Sequence, residues 1–277
     1  MILIVMAGLI VLFEKILHKA FALSPVATPK TPQDSGLPYK DLLIPTVHNK
    51  KIQLWDLSVH ENGPIIMGVH GWGNTGTIFF PIVRQLQKQW NFLLVNTRNH
   101  GSSDRERYST LVQYHEDITA VIRFIKKKYP ESPVVLLGHS LGAAASLLTA
   151  ARDQRVQGVV AIASFADVGE MIRDGLQGKR FPSWLTFGLI KYIEYRIGAK
   201  FNRISPVNVI AKISCPILLI HGKKDRVVNF TDMERLAERA DPARLETLPL
   251  EGHGHSSLLD DPRLIGKLES FLTHHFG

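Results

Sequence analysis

The chain has 277 residues, of which 45% are hydrophobic and 21% charged, so it is long enough to bury one substantial core as a single domain. Its formal net charge of +8 attracts anionic surfaces without identifying one, and no aromatic-basic motif for nucleic acid is present. The single cysteine, Cys215, excludes an internal disulfide, and no period of 20 to 50 residues indicates a repeat protein.

The first predicted element is an apolar run of twelve residues, 2–13, which charged residues then interrupt. Twelve residues are too few to cross about 30 Å of hydrocarbon, and a longer helix crosses only if Lys15 and Lys19 snorkel. We predict a retained membrane anchor or interfacial helix over residues 1–23. A secretory signal is the alternative, because residues 20–22 resemble a cleavage site, but a cationic region before the apolar run is missing.

Residues 24–38 contain four prolines among polar residues and predict a linker to a main domain at residues 39–277. Lysines follow the apolar run and only the terminal amine precedes it. The positive-inside tendency therefore predicts that the main domain lies on the cytoplasmic side of a membrane, with export as the alternative.

Short apolar strands alternate with helical patterns through the main domain. The predicted strands are 41–45, 51–59, 133–137, 159–165 and 244–248, and the predicted helices are 80–89, 113–129, 141–148, 229–240 and 261–276. The first two strands are predicted to form an antiparallel edge. This alternation predicts an α/β fold, with a mostly parallel sheet covered by helices on both faces.

The segment Gly138-His139-Ser140-Leu141-Gly142 places a serine between two glycines, where an apolar strand gives way to a helix-forming run. We interpret it as a nucleophile elbow, whose sharp turn projects the serine out of the sheet while the glycines permit close packing. The N-terminus of the following helix favours developing negative charge. The alternative is that Ser140 is only a helix N-cap.

Between residues 167 and 203 the alternation breaks into aromatic residues among basic ones, with helical spacing over 184–197. We predict a small helical cap inserted over the site at Ser140. An ordinary pair of aromatic-stabilised surface helices is the alternative.

Together with the elbow, four further segments resemble the α/β-hydrolase superfamily of serine esterases, lipases and peptidases, and the resemblance runs from about Leu42 to the C-terminus. Residues 65–73 resemble the family's strand and His-Gly oxyanion turn, and residues 96–103 resemble its D-x-R-G-x-G-x-S segment. Residues 217–225 resemble its late strand with the acid, and residues 251–255 resemble its histidine loop. Their order, Ser then Asp then His, is the order that this fold uses.

The 96–103 segment departs from the family pattern at two positions. Asn96 stands where the family has Asp, and Asn99 stands where it has Gly. These departures put the subfamily in doubt and leave the expected fold unchanged.

The resemblance implies a catalytic triad of Ser140, Asp225 and His255. A serine hydroxyl is a poor nucleophile, so an imidazole must take its proton, and a carboxylate must fix the tautomer of that imidazole. Asp225 follows an apolar strand, at the carboxyl edge where ligands bind in such sheets. The resemblance also implies an oxyanion hole made by the backbone N–H groups of Trp72 and Leu141.

Two triad positions keep alternatives. Asp167, after the strand 159–165, is an alternative acid, in which case Asp225 only opens a turn. His253 is an alternative base, although His255 ends a Gly-x-Gly-His turn before a small polar residue, as the family histidine often does. The other histidines near these segments are expected to brace loops; they are His70, His100, His139 and His221.

The resemblance and the motifs predict a serine hydrolase that cleaves carboxylic esters, with no metal and no organic cofactor, since no histidine spacing forms a zinc-binding set. The expected partners are a small-molecule ester, which would be lipid-like if the cap lies near a membrane, and the membrane itself, with no nucleic acid. Thioester or peptide cleavage, or the use of peroxide in place of water, remains open. So does a catalytically silent binding module. A serine at the elbow argues against haloalkane and epoxide chemistry.

Overall fold

The computed structural model describes residues 8, 10–16, 18, 30–60, 63–177 and 182–277, with side chains omitted at 175–177. Within these residues one eight-stranded sheet has the order β1-β2-β4-β3-β5-β6-β7-β8. The strands are β1 (Lys40–Pro45), β2 (Lys51–Asp56), β3 (Ile65–Val69), β4 (Asn91–Asn96), β5 (Val134–His139), β6 (Val156–Ile162), β7 (Ile217–Gly222) and β8 (Leu245–Leu250).

The sheet is mostly parallel, with an antiparallel edge. β1 pairs antiparallel with β2, and β2 pairs antiparallel with β4, whereas every pairing from β4 to β8 is parallel. Both features confirm the fold predicted from the sequence. β4 is fully buried and was not among the predicted strands.

Helices cover both faces of the sheet. They are α1 (Phe80–Leu86), α2 (Leu111–Lys128), α3 (Leu141–Ala150), α4 (Val168–Gln177), α5 (Ser183–Ile197), α6 (Phe201–Ile204), α7 (Pro206–Val209), α8 (Phe230–Arg239) and α9 (Pro262–Phe276). The apolar sides of α1 and α9 pack in the core on one face, and those of α2, α3 and α8 pack in the core on the other. Covering both faces lets the parallel strands be apolar on both sides.

Two predicted strands end earlier than expected. β2 stops at Asp56 rather than at residue 59, because the Asn91 side chain accepts the N–H groups of Val59 and His60, both at 2.8 Å. β6 stops at Ile162 rather than at residue 165, since Ala163 has a left-handed φ of 53° that turns the chain out of the sheet.

The predicted cap is confirmed as part of the fold. α4, α5 and α6 lie between β6 and β7 in the chain, and Leu185, Leu189 and Ile193 bury one side of α5 against the domain. Gly198 ends α5 in the left-handed conformation, with a φ of 66°.

The membrane-anchor prediction falls mostly on residues outside the described part of the chain. Of residues 1–23, those described are helical, and Phe13 lies buried against the cap with its ring centroid 5.6 Å from that of Tyr192. Among the described residues, no helix has the length and apolar character needed to cross a bilayer. The anchor is therefore unsupported there.

The predicted linker is also described only in part, since residues 24–29 lie outside the described ranges. The remainder includes a 3-10 turn at Pro32–Ser35, and Leu37 is buried in the core. The domain bounds at residues 24–38 and 39–277 stay predictions.

Candidate active site

Ser140 joins β5 to α3 in a strained conformation. Its φ is 54° and its ψ is −120°, and its backbone N–H donates to the carbonyl of Ile162 at 2.9 Å. A non-glycine residue at such angles costs about 1–3 kcal/mol and persists where the surrounding structure fixes it. This is the geometry that the sequence predicts for a nucleophile elbow.

The glycines of the elbow are required by close contacts. A Cβ on Gly142 would overlap the backbone of Val69 and His70, and one on Gly138 would lie 2.5 Å from the backbone of Ala143. Each glycine thus lets α3 begin directly against the sheet, which fixes the direction of the Ser140 side chain.

The structure brings His255 and Asp225 together. Nδ1 of His255 donates to Oδ2 of Asp225 at 2.7 Å, and the Asp225 side chain is fully buried. The other carboxylate oxygen accepts the backbone N–H groups of Val227 and Val228 at 2.8 and 3.0 Å. With Nδ1 as the donor, Nε2 of His255 is the ring nitrogen that can accept a proton.

A second histidine supports the same carboxylate. Nε2 of His221 lies 3.3 Å from Oδ2 of Asp225 and 3.1 Å from the Val228 carbonyl. Burial alone raises the pKa of Asp225, but hydrogen bonds from His221, His255 and the two backbone amides outweigh burial and hold that pKa well below its usual range. Asp225 is therefore ionised at neutral pH, as a triad carboxylate must be.

His139 connects the histidine loop to the elbow. Its Nε2 donates to the backbone carbonyl of His255 at 2.9 Å, and the two ring centroids lie 4.9 Å apart. Burial lowers the pKa of His139 to about 4, so the ring is neutral at neutral pH. His255 thereby packs against the residue that precedes Ser140.

The link from His255 to Ser140 is not formed in this structure. Among the described residues, the Ser140 hydroxyl has no hydrogen-bond partner. Catalytic hydrogen bonds are often long before substrate binds and tighten in the reacting complex. The assignment of Ser140, Asp225 and His255 as one triad is therefore a proposal.

His253 has other partners. Its Nε2 lies 2.7 Å from Oδ2 of Asp261, and its Nδ1 donates to the Ser257 carbonyl at 3.1 Å. Both ring nitrogens are therefore engaged within the loop, and the ring is not paired with Asp225.

The alternative acid, Asp167, caps a helix. Its Oδ1 accepts the backbone N–H of Glu170 at 2.9 Å, at the start of α4. This bond satisfies an amide in the first turn, which is a common structural role for aspartate. The structure does not pair Asp167 with His255.

The turn that holds the proposed oxyanion donors is fixed by two buried histidines. His70 donates from Nδ1 to the Gly71 carbonyl at 2.8 Å and accepts the N–H of Thr97 at Nε2. His100 accepts the N–H of Gly73 at 3.2 Å. Burial lowers the pKa of both rings, to about 4 for His100, so both are neutral as these bonds require.

The backbone amides of Trp72 and Leu141 both lie beside the elbow. A Cβ on Gly71, the residue before Trp72, would sit 3.0 Å from Cβ of Ser140. Leu141 is the first residue of α3, and neither amide donates to an acceptor among the described residues. Two unpaired amides next to one hydroxyl suit an oxyanion hole.

The two departures from the family pattern have structural explanations. Asn99 has a φ of 72°, a left-handed conformation that Asn tolerates better than most residues, and its Nδ2 donates to the Tyr108 carbonyl at 3.0 Å. Oδ1 of Asn96 accepts the N–H of Gly76, and its Nδ2 donates to Oε1 of Gln53, both at 2.8 Å. Both asparagines therefore fit this loop.

A buried charge network behind the loop is not predicted from the sequence. The Arg98 guanidinium donates to Asp117 at 2.9 Å and to Glu116 at 2.5 Å, and both Arg98 and Asp117 are almost fully buried. Burial raises the pKa of Asp117 to about 6, although Arg98 opposes this. The network fixes the loop against α2. The arginine of the 96–103 motif, Arg98, is the residue of the sequence that indicates it.

A mainly apolar cavity of about 420 Å³ lies between the elbow and the cap. Its lining includes Ser140 and the two residues that carry the proposed oxyanion donors. The walls are apolar residues of the cap and its connection to β6, among them Phe165, Val168, Ile172, Ile193, Ile197 and Phe201. Such a cavity suits an apolar ligand with its polar group at Ser140.

Metal binding finds no support among the described residues, where no group of three or more His, Cys, Asp or Glu side chains could hold an ion. The lone Cys215 is buried, and burial raises the pKa of its thiol to about 11.

The family model of the α/β hydrolase fold matches residues 64–189 of the chain, which include the oxyanion turn, the elbow and most of the cap. The esterase Pf2001 of Pyrococcus furiosus superposes with a TM-score of 0.75 at 21% identity, over 93% of this chain and 98% of that one. The chain has the α/β-hydrolase fold. The fold that the resemblance implies is thereby confirmed.

Curated relatives match smaller shares of this chain than the esterase structure does. YqkD of Bacillus subtilis is 26% identical over 71% of this chain and 67% of its own length. The 2-(acetamidomethylene)succinate hydrolase of Mesorhizobium japonicum is 29% identical over 53% of each chain. These comparisons show the fold, and both the activity and the substrate are matters for proposal.

Replacing Asp225 by Asn is expected to lower kcat by about 10³–10⁴-fold, because an amide cannot hold His255 in the required tautomer. The folded protein should keep its KM within a few fold. Asp167→Asn is the matched control, since it changes an acid at the next strand end and keeps a helix cap. Equal losses in the two variants would contradict the assignment of Asp225.

Proposed function

We propose that the chain is a serine hydrolase that cleaves carboxylic esters through an acyl-enzyme. The observation that carries this proposal is the pairing of His255 with a buried, ionised Asp225 beside the strained Ser140 elbow. A histidine fixed by a carboxylate near a half-buried serine on a strained turn supports activation of that hydroxyl as a nucleophile.

In the first step Oγ of Ser140 attacks the carbonyl carbon of the ester and gives its proton to Nε2 of His255. The carbonyl oxygen becomes an oxyanion, which the N–H groups of Trp72 and Leu141 stabilise. The tetrahedral intermediate then collapses, the bond to the alcohol oxygen breaks, and His255 returns the proton to the departing alcohol. Ser140 is left acylated.

In the second step a water molecule replaces the alcohol. His255 takes one proton from the water as its oxygen attacks the acyl carbon, and the oxyanion forms again in the same hole. Collapse releases the carboxylic acid and restores the Ser140 hydroxyl with the proton from His255. Each step returns the protein groups to their starting protonation states.

The cavity favours an ester with an apolar acyl part. Its lining is mainly apolar, and apolar contacts add about 0.8 kcal/mol for each buried methylene. The Pyrococcus furiosus structure is of an esterase, which supports ester cleavage without indicating the acyl group. A thioester or peptide substrate uses the same triad, so the assay must include both.

The proposal is tested with 4-nitrophenyl esters of increasing acyl length, alongside a matched acyl thioester and an anilide. We expect kcat/KM on the esters to rise by about threefold to fourfold per methylene until the cavity is full, because each methylene leaves water. Ile172→Trp, which narrows the cavity, should move the optimum to a shorter chain. Flat ester activity across the series, or faster turnover of the thioester or anilide, would contradict the proposal.

Membrane association through residues 1–23 and the cytoplasmic placement of the main domain stay predictions. The described helices give them no support. They do not enter the proposed mechanism, which uses residues of the main domain alone.

A further inference from the structure

A carboxylate from the N-terminal segment lies among four donors. Oε2 of Glu14 accepts the Tyr108 hydroxyl at 3.0 Å and lies 2.8 Å from the Arg107 guanidinium. Oε1 accepts the Tyr192 hydroxyl at 2.5 Å and pairs with Arg196. We call these four residues the donor cluster: Arg107, Tyr108, Tyr192 and Arg196. The Glu14 side chain is only 19% exposed.

The donor cluster belongs to the main domain. Arg107 and Tyr108 precede α2, while Tyr192 and Arg196 are one turn apart on α5. The Arg107 guanidinium stacks over the Tyr108 ring at 5.3 Å, and that of Arg196 over the Tyr192 ring at 5.9 Å. These contacts are made within the main domain and do not involve Glu14, so they help to orient the donors independently of the carboxylate.

The charge balance of the cluster favours an anion. Two guanidinium groups face one carboxylate, so one positive charge is left even with Glu14 in place. Without Glu14, two cations and two hydroxyl donors converge on a space of carboxylate size. Guanidinium groups bind carboxylates and phosphates in this way, by strong charge-assisted hydrogen bonds.

The donor cluster adjoins the cavity that contains Ser140. Tyr108 and Arg196 line this mainly apolar cavity, as Ser140 does. A molecule with an apolar chain in the cavity can therefore place an anionic group among the donors.

We propose that the donor cluster is a binding site for the carboxylate or phosphate group of an amphipathic ligand whose apolar chain lies in the cavity, and that Glu14 occupies this site in place of the ligand. The inference rests on the proposed function only where this ligand is taken to be a substrate or product of the hydrolase. Binding itself needs no turnover.

Glu14 acts in this proposal as an internal competitor. An anionic ligand binds only in the fraction of molecules from which Glu14 has moved away, so its apparent affinity is reduced by that fraction. If Glu14 occupies the cluster for roughly nine-tenths of the time, its removal strengthens anion binding by about tenfold. A neutral ligand of the same length does not compete with Glu14 and keeps its affinity.

The test is calorimetric titration of the full-length chain with octyl phosphate, octanoate and 1-octanol. Glu14→Gln removes the charge and keeps the size of the side chain. Glu238→Gln is the matched control, because it removes one exposed surface carboxylate from α8 and has the same effect on net charge. A double variant combines Glu14→Gln with Arg107→Gln, which removes one donor of the cluster that does not line the cavity.

We expect Glu14→Gln to bind at least one of the two anions about tenfold more tightly than the wild type, with 1-octanol unchanged and Glu238→Gln like the wild type. Adding Arg107→Gln should reverse the gain. A gain for octyl phosphate alone identifies a phosphate site, and a gain for octanoate alone identifies a carboxylate site. Unchanged anion binding, or an equal gain for 1-octanol, overturns the proposal, whether or not the chain hydrolyses esters.

Discussion

Replacing Ser140 by Ala is expected to lower kcat on a 4-nitrophenyl ester by about 10⁶-fold, because no other group can form the acyl-enzyme. KM should change little, since the cavity walls are untouched. The fold should persist, because alanine fits beside Gly71 and removes only a hydroxyl that has no partner among the described residues.

Circular dichroism and the unfolding temperature check the fold of Ser140→Ala, and a stopped assay at high enzyme concentration measures the residual rate. Ser102→Ala is the matched control, since Ser102 is exposed and lies outside the cavity lining. Turnover by a folded Ser140→Ala protein at more than about one-hundredth of the wild-type rate would refute the acyl-enzyme mechanism.

The second large effect concerns the two histidines of the 251–255 loop. His255→Ala is expected to lower kcat by at least about a thousand-fold, because it removes the ring that Asp225 orients. His253→Ala should keep kcat within about threefold of the wild type. It loses a contact with Asp261, whose carboxylate also accepts from Arg263 at 2.7 Å and so is not left unpaired.

The comparison requires both variants at matched concentration, with kcat and KM measured separately on one ester. A loss confined to KM in His255→Ala would show that the ring binds substrate without acting as a base. A near-normal His255→Ala together with an inactive His253→Ala would transfer the role of base to His253.

Features that depend on neighbouring residues could be predicted from the sequence. The elbow at Ser140 follows from small residues around a serine between a strand and a helix, and the cap follows from a break in the alternation. The choice of His255 over His253 used the spacing of glycines in one loop. The structure pairs His255 with Asp225, and the role of His255 as the base stays a proposal.

Contacts between distant parts of the chain could not be predicted in this way. The bond from His139 to the His255 carbonyl joins residues 116 apart in sequence, and that from Tyr192 to Glu14 joins residues 178 apart. In the sequence, Glu14 is visible only as a charge that interrupts an apolar run. The periodicity of the sequence does not indicate which surface of the folded domain that segment contacts.

Asn99 shows a different limit. As a departure from the family pattern it put the subfamily in doubt, yet its left-handed φ of 72° shows that the backbone demand of the position is unchanged. Asn tolerates the left-handed conformation with less strain than most other residues that could replace Gly. It also adds side-chain hydrogen bonds to Tyr108 and Ser109.

The central claim is that Ser140 is a nucleophile activated by His255 and Asp225, and the most direct measurement is the site of reaction with a fluorophosphonate. The full-length folded chain is treated with the probe, digested, and mapped by mass spectrometry. The account predicts one adduct per chain, on the peptide that contains Ser140, and slow or absent labelling in His255→Ala. A folded chain with no adduct, or with its adduct on another residue, would contradict it.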